Sequence, residues 1–327
     1  MLKPISANGF EGLALGNKIL KTLDAAKKYA RVNRSILIRG ERGTGKELLA
    51  RFIHTNSTRS KQAFIAINCA AFTMELLNSE IYGHEEGAFT GANQQRIGRL
   101  EQADKGTLFL DEIGNMPISF QENILRVIEY KSFERLGGTK NINVDVRFIS
   151  ATNANLEQLI EQEKFRPDLF DRLAFAQIEI PPLRQRRDEI PELLMHCVQQ
   201  LQNEMPGLPA KRFSRDCVEA LIDYHWPGNI RQFKNTIERL YLGSTPEIIE
   251  PSELPSEMKS IQSERHFTNQ SFSTQVEEFQ KELILHSLKQ NHWKQTKSAS
   301  HLDMSIDSFR HFYKKFKLEK EKPSEKS

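Results

Sequence analysis

Residues Ser35 to His54 constrain this chain more than any other stretch. Ser35-Ile36-Leu37-Ile38 is a short apolar run of the kind that becomes a buried strand. It leads into Gly40-Glu41-Arg42-Gly43-Thr44-Gly45-Lys46, and a helical pattern follows from Glu47 to His54. A strand, a glycine-rich loop ending in lysine and a helix form a phosphate cradle. Backbone N–H groups and the helix N-terminus face the anion, while Lys46 reaches the terminal phosphates. The fold class that follows is α/β with a parallel sheet. One position departs from the usual pattern: Glu47 stands where a hydroxyl commonly binds magnesium, so the sequence leaves the metal to other carboxylates or water.

Two further strands are expected at Ala63 to Ile67, ending at Asn68, and at Gly106 to Leu110, ending in Asp111-Glu112. Adjacent carboxylates at the carboxyl edge of a parallel sheet stand beside the phosphate site. Asp111 suits magnesium and Glu112 suits orienting an attacking water. A fourth strand, Asp145 to Ala151, runs into Thr152-Asn153, a polar pair placed to sense a γ-phosphate. In the segment Phe165 to Arg172, Arg166 and Arg172 each have aspartates nearby. They read as surface ion pairs worth under ~1 kcal/mol or as fingers for phosphate charge on a neighbouring subunit.

Between the second and third strands lies Gly87-Ala88-Phe89-Thr90-Gly91-Ala92. No apolar alternation or helical stripe assigns Phe89 to a core. The glycines loosen the backbone on both sides. The stretch reads as a mobile loop presenting one ring and one hydroxyl outward, or as a tight turn whose Phe89 folds back.

After Pro181-Pro182-Leu183-Arg184 the pattern turns helical at Asp188 to Gln202, Ser214 to Tyr224 and Asn229 to Tyr241. Asp188 and Ser214 are the expected N-caps, and a Pro-Gly turn before Asn229 sets Arg231 on the first turn of the third helix. This is a small lid with Arg231 near phosphate. Residues 244–274, with three prolines and seven serines, read as a linker. Helix returns at Thr274 to Lys289, Gln295 to His301 and Ile306 to Phe316, the last two forming a helix-turn-helix. Its last helix offers Ser308, Arg310, His311, Lys314 and Lys315, with Ile306, Phe309 and Phe312 (or Tyr313) facing inward. Residues 286–327 carry ten Lys and Arg against five Asp and Glu, in a chain whose net charge is only +3. That local excess suits duplex DNA, with arginine and lysine on phosphate and guanine. Three scattered cysteines without metal spacing imply a reduced compartment. No apolar run reaches the ~18 residues of a membrane span, so the expected location is cytoplasmic without membrane insertion. About fifteen residues precede the first helical pattern, Asn17 to Arg31, which leaves no room for a sensory domain in front of it.

Taken together these residues resemble the sigma-54-dependent AAA+ transcription activators, the bacterial enhancer-binding proteins. Residues 13 to 243 match the motor and 275 to 317 a Fis-like DNA-binding end, with Gly87 to Ala92 as the family's signature loop. Within the family the chain is similar to the phage-shock operon activator type, which lacks an N-terminal regulatory domain. The resemblance implies an AAA+ α/β subdomain at 1–183, a helical lid at 184–243, a linker at 244–274 and a helix-turn-helix domain at 275–327. It implies ATP and Mg2+ as cofactors, with residues 40–47, Asn153 and Arg231 around the nucleotide. Catalysis falls to Asp111 and Glu112, with Asn68 as a switch holding Glu112. Arg166 and Arg172 become trans-acting fingers, which requires a homo-oligomer, expected to be a hexamer. Phe89 and Thr90 become contacts to sigma-54 RNA polymerase. The subgroup also admits an inhibitory regulator protein acting in trans. Gln232-Phe233 departs from the family's usual Glu-Leu, which bears on lid packing and spares Arg231. A competing reading, a DNA-binding repressor that only senses nucleotide, needs neither the loop nor Asp111-Glu112.

Overall fold

The computed structural model describes residues 17–245, 247–258, 272–291 and 293–321. The expectations for residues 1–16, 246, 259–271, 292 and 322–327 fall outside these. The described chain divides into two units, one ending at Leu254 and one beginning at Pro255.

The first unit is built on five parallel strands: β1 Ile36–Arg39, β2 Phe64–Asn68, β3 Thr107–Asp111, β4 Arg147–Thr152 and β5 Ala176–Glu179. Their spatial order is β2-β3-β4-β1-β5, so the phosphate-loop strand β1 lies between β4 and β5. Strand side chains alternate between faces. Leu37, Leu108, Leu110 and Phe148 point into one core shared with α3 Met74–Tyr82, α4 Ile118–Tyr130 and α5 Pro167–Leu173. The alternate residues Ile36, Ile38, Phe109 and Ile149 are equally buried. On their side of the sheet lie α1 Asn17–Ala30 and α2 Lys46–Thr55, where His54 Nδ1 meets Thr107 Oγ1 at 2.9 Å. Both faces are covered, which is why the strands read as continuous apolar runs. The strand β5 was not anticipated: its four residues alternate buried and exposed directly before Pro181-Pro182, too short a pattern to register.

Arg147, the first residue of β4, is nearly fully buried. Its guanidinium donates to the carbonyls of Ala30 (2.7 Å), Tyr29 (3.0 Å) and Arg34 (3.2 Å). It thereby satisfies carbonyls left open where α1 ends, and burial holds its pKa down at about 10.

The lid consists of α6 Ile190–Glu204, α7 Arg215–Asp223 and α8 Asn229–Gly243. Ser214 caps α7 as expected, accepting from Cys217 N at 3.3 Å. Asp188 does not cap α6: a 3-10 turn, Arg187–Glu189, intervenes and Glu189 occupies the cap position. Phe233 is buried against the Trp226 ring at 4.9 Å, and Gln232 Oε1 accepts from Gly228 N at 2.9 Å. The two unusual residues therefore build the lid core and its turn. The linker expected from Ser244 onward begins later. Ile248–Ile249 pairs in parallel with Arg212–Phe213, Ser244 Oγ donates to Glu253 Oε1 at 2.6 Å, and Lys211 donates to the Ser244 carbonyl. Residues 244–245 and 247–254, the described part of that linker that lies in the first unit, thus add to the lid; Ser244 and Pro251 hold turns rather than loosen the chain.

The second unit contains α9 Phe272–Gln290, α10 Gln295–His301 and α11 Ile306–Lys315. Ile284, Leu288, Ala299, Phe309, Tyr313 and Leu318 form its core. Tyr313 rather than Phe312 takes the fully inward position; Phe312 and Ile306 pack at the margin. Ser305 caps α11, accepting from Ser308 N at 3.2 Å. Among the described residues no helix is long and apolar enough to cross a membrane.

Candidate active site and signature loop

The phosphate loop sits between β1 and α2. Gly43 and Gly45 have φ of 76° and 99°, the left-handed region that side chains resist. Thr44 is fully buried and donates to Glu41 O at 2.8 Å, closing the loop on itself. Lys46 is 7% exposed; its ammonium donates to Gly40 O (3.1 Å) and Glu41 O (3.3 Å) and lies 3.6 Å from Glu112 Oε1. The first turn of α2 carries N–H groups without helical partners, so its positive end and the Lys46 ammonium both add positive potential at the loop.

Asp111 and Glu112 stand at the end of β3, with Asn68 in register beside Asp111. Asp111 Oδ1 accepts from Glu112 N at 3.0 Å. Burial, and then the neighbouring Glu112 charge, raise the Asp111 pKa above the usual carboxylate range. Glu112 adopts φ 55° and ψ 47°, a strained backbone that turns its carboxylate back to Lys46. With its amide nitrogen toward Glu112, Asn153 donates to Oε2 at 2.5 Å and accepts from Arg42 Nε at 3.3 Å. Lys46, Glu112, Asn153 and Arg42 thus form one connected cluster. Asn68 does not join it here: its Oδ1 accepts from Ala70 N at 2.9 Å, an Asx turn within its own loop. Glu47 also points elsewhere, pairing with Arg51 at 2.7 Å on the outer face of α2. Two carboxylates beside a phosphate cradle are the donor set magnesium uses, since that ion keeps several waters and takes one or two carboxylates plus phosphates.

The lid meets the loop closely. A Cβ at Gly43 would fall 2.3 Å from Gly228 O, and Arg231 N donates to Gly43 O at 3.3 Å. The Arg231 side chain is exposed beside the loop. Three residues at this junction were not singled out as a group. Asn229 is fully buried; its Nδ2 donates to Arg42 O (3.0 Å) and Glu41 Oε2 (3.1 Å), and its Oδ1 accepts from Leu183 N (2.8 Å). Arg184 pairs with Glu41 at 2.5 Å. Hydrogen bonding from Arg184, with help from Asn229, lowers the Glu41 pKa to about 2 despite its partial burial. The signal was present: asparagine after Pro-Gly tolerates the left-handed conformation, and Asn229 has φ 51°.

Arg166 stands at the N-cap of α5 and Arg172 in its last turn. Arg166 pairs with Asp168 at 2.7 Å and Arg172 with Glu129 at 2.9 Å, both partly exposed. Within one chain, then, both arginines sit in surface ion pairs, the second with a residue remote in sequence.

The signature loop connects two short antiparallel strands, Gly83–His84 and Arg96–Ile97, that follow α3. Its stem is fixed by Arg135, which pairs with Glu85 (2.8 Å) and Glu101 (2.6 Å). A second hairpin, Ser132–Phe133 with Ile142–Asn143, packs beside it, and Gly137 leaves only enough room for Ala88. Gly87 N donates to Ala92 O at 2.8 Å, while Gly87 and Gly91 have φ of 78° and 107° and open space around them. Thr90 is exposed. Phe89 is 44% exposed, with one edge on the His84 ring at 5.0 Å. Both expectations hold in part: the tip is presented, and the ring also touches the body.

Residues 14–179 match the model of the sigma-54 interaction domain, and residues 184–271 that of the AAA+ ATPase lid domain. The chain belongs to the sigma-54-dependent AAA+ transcription activators. The Psp operon transcriptional activator of Escherichia coli (strain K12) is 40% identical over 319 residues, 94% of this chain and 98% of that one. NtrC of Klebsiella pneumoniae is 48% identical over 231 residues, 71% of this activator but 49% of NtrC, so the chain spans about half of that relative. Crystal structures of NtrX from Brucella abortus superimpose on the activator with a TM-score of 0.70 and 32% identity for the ATP complex, covering 93% of this chain and 68% of that one. Its motor is thus an AAA+ ATPase.

On α11 the side chains of Ser308, Arg310, His311, Lys314 and Lys315 all face outward, and so does Asp307, an acid among them. Lys315 is partly engaged, pairing with Glu277 at 2.7 Å.

Proposed function

We propose that this activator binds duplex DNA upstream of its promoters through α11 and uses ATP hydrolysis to remodel a sigma-54 RNA polymerase closed complex. The cluster of Lys46, Asp111, Glu112 and Asn153 carries the reading. It joins the phosphate cradle, the sheet-edge acids and the γ-phosphate sensing position in one set of contacts. Lys46 and the α2 N-terminus hold the β- and γ-phosphates. Asp111 would hold Mg2+, which would supply charge neutralisation at the phosphates when bound. Glu112 orients the attacking water once released from Lys46 and Asn153, and Asn68 supplies its alternative partner. Arg231 reads the phosphates from the lid. Arg166 and Arg172 leave Asp168 and Glu129 to reach the nucleotide of the next copy in a ring, expected to be a hexamer. Phe89 and Thr90 deliver the resulting movement to sigma-54. The protein acts in the cytoplasm, and a regulator in trans can hold the ring inactive.

Separation of roles is the test. Phe89→Ala and Thr90→Ala should fold, assemble and hydrolyse ATP at the parent rate, yet fail to open promoter DNA in a sigma-54 transcription assay. Normal promoter opening by Phe89→Ala sinks the assignment of the loop.

A further inference from the structure

Glu41 is an acid inside a loop built to hold anions. A carboxylate there repels the phosphates the loop serves, so its use lies elsewhere. Both its oxygens are taken: Arg184 donates from Nη1 to Oε2 at 2.7 Å and from Nη2 to Oε1 at 2.5 Å, and Asn229 Nδ2 donates to Oε2 at 3.1 Å. Two parallel N–H···O bonds to one carboxylate fix direction as well as distance. Half-exposed ion pairs usually contribute little, because two long side chains must give up their freedom. Here the platform under Arg184 is already rigid. It stands on a 3-10 turn, Leu183–Gln185, behind Pro181-Pro182, whose rings fix their own backbone. Leu183 is buried and its N–H is held by Asn229 Oδ1 at 2.8 Å. With its pKa lowered to about 2, chiefly by Arg184, Glu41 stays ionised wherever the protein is folded and active.

The backbone of the same residue faces the chemistry. Glu41 O accepts from Lys46 Nζ at 3.3 Å and from the buried Thr44 Oγ1 at 2.8 Å. From that station the Lys46 ammonium lies 3.6 Å from Glu112 Oε1. A side chain anchored through both carboxylate oxygens restricts the swing of the peptide that bears it, and with it the place of that carbonyl. One line of contacts thus runs from Arg184, at the root of the lid, through Glu41 to the lysine and the sheet-edge acid.

We propose that Glu41 and Arg184 are positioning residues for ATP hydrolysis, their ion pair fixing the Glu41 peptide and so the station of Lys46 against the transferred phosphoryl group. The inference rests on the roles of Lys46 and Glu112 given above. It differs in its kinetics from a simple latch that shuts the lid. A displaced lysine stabilises the transition state less while binding the ground state nearly as well, so the loss falls on kcat. A latch acts on bound ADP and ATP alike and leaves the rate at saturation unchanged.

The experiment is steady-state ATP hydrolysis by the full chain, with ADP affinity and thermal unfolding measured on the same samples. Glu41→Gln removes the charge but keeps an acceptor for Asn229 Nδ2, so that contact with the lid survives. Glu41→Gln and Arg184→Gln should each lower kcat roughly tenfold with ADP affinity within about twofold of the parent. The double variant should be no worse than the poorer single, since both act through one contact. Arg184→Lys, which keeps the charge and loses the two-pronged geometry, should fall between. Parent-like kcat in both single variants, with Glu112→Gln inactive, overturns the inference and spares the site. Equal losses of ADP and ATP affinity at unchanged kcat overturn it in favour of the latch. Additive losses in the double variant, or unfolding that accounts for the missing activity, overturn it as well. Turnover by Glu112→Gln at the parent rate overturns the reading of the site itself.

Discussion

Asn229 is the most economical place to test how the lid is held to the phosphate loop. Its side chain makes three hydrogen bonds from a fully buried position, to Leu183 N, Arg42 O and Glu41 Oε2. Asn229→Ala strands the Leu183 N–H and the Arg42 carbonyl, which costs ~2 kcal/mol in total if water reaches them in part. Alanine must also adopt φ 51°, adding ~1 kcal/mol that asparagine largely avoids. The expected loss is therefore ~3 kcal/mol. Asn229→Gly loses the same hydrogen bonds but not the backbone preference, so it should be more stable than alanine by ~1 kcal/mol. That order is the reverse of the one found inside ordinary helices. Urea unfolding measures both changes, and titration with a fluorescent nucleotide should show affinity falling about tenfold as the lid loses its hold. An alanine variant as stable as the parent, or more stable than the glycine variant, would refute the reasoning.

Three more outcomes follow from the geometry. Glu112→Gln should retain nucleotide binding and lose turnover, whereas Lys46→Ala should weaken binding itself; equilibrium binding and phosphate release separate the two. Mixing Arg172→Ala with Lys46→Ala subunits should restore part of the ATPase activity if the finger acts across subunits, and no recovery in co-assembled rings places Arg172 in its own subunit. Glu189 is buried beside Arg186 and its pKa is raised to about 7, chiefly by burial. A raised carboxylate pKa means the folded state binds more protons, so stability is fully present below the ordinary value near 4.5 and falls as pH rises through about 7. Glu189→Gln should remove that slope from unfolding curves taken between those limits.

Much of the motor was legible because its signals are local. The phosphate loop, the acids after an apolar run and the glycines around Phe89 each declare themselves within a few residues, and the structure places four of the five sheet strands within one or two positions of expectation. What escaped depends on contacts distant in sequence. Arg172 meets Glu129 rather than a neighbouring aspartate, and Glu41 is held by Arg184 and Asn229 from the lid. Residues 248–249 looked like linker because a two-residue strand has no periodicity; only its partner at 212–213 makes it one. Asn68 illustrates a different limit. Its position beside Asp111 was predictable, but its hydrogen bond from Ala70 N closes a turn within its own loop that no sequence pattern announces.

The buried guanidinium of Arg147 has a mechanical consequence. It clamps the end of α1 to the first residue of β4, and the last residues of that strand lead directly to Asn153. All six residues of β4 are buried, with hydrogen-bonded neighbours on both sides. A strand so enclosed cannot slip by a fraction of a residue without breaking two ladders at once. It behaves as a stiff rod ~20 Å long between the end of α1 and Asn153. The three carbonyl contacts of Arg147 thus couple the position of the α1 end to that of Asn153 through a strand with no freedom to slip.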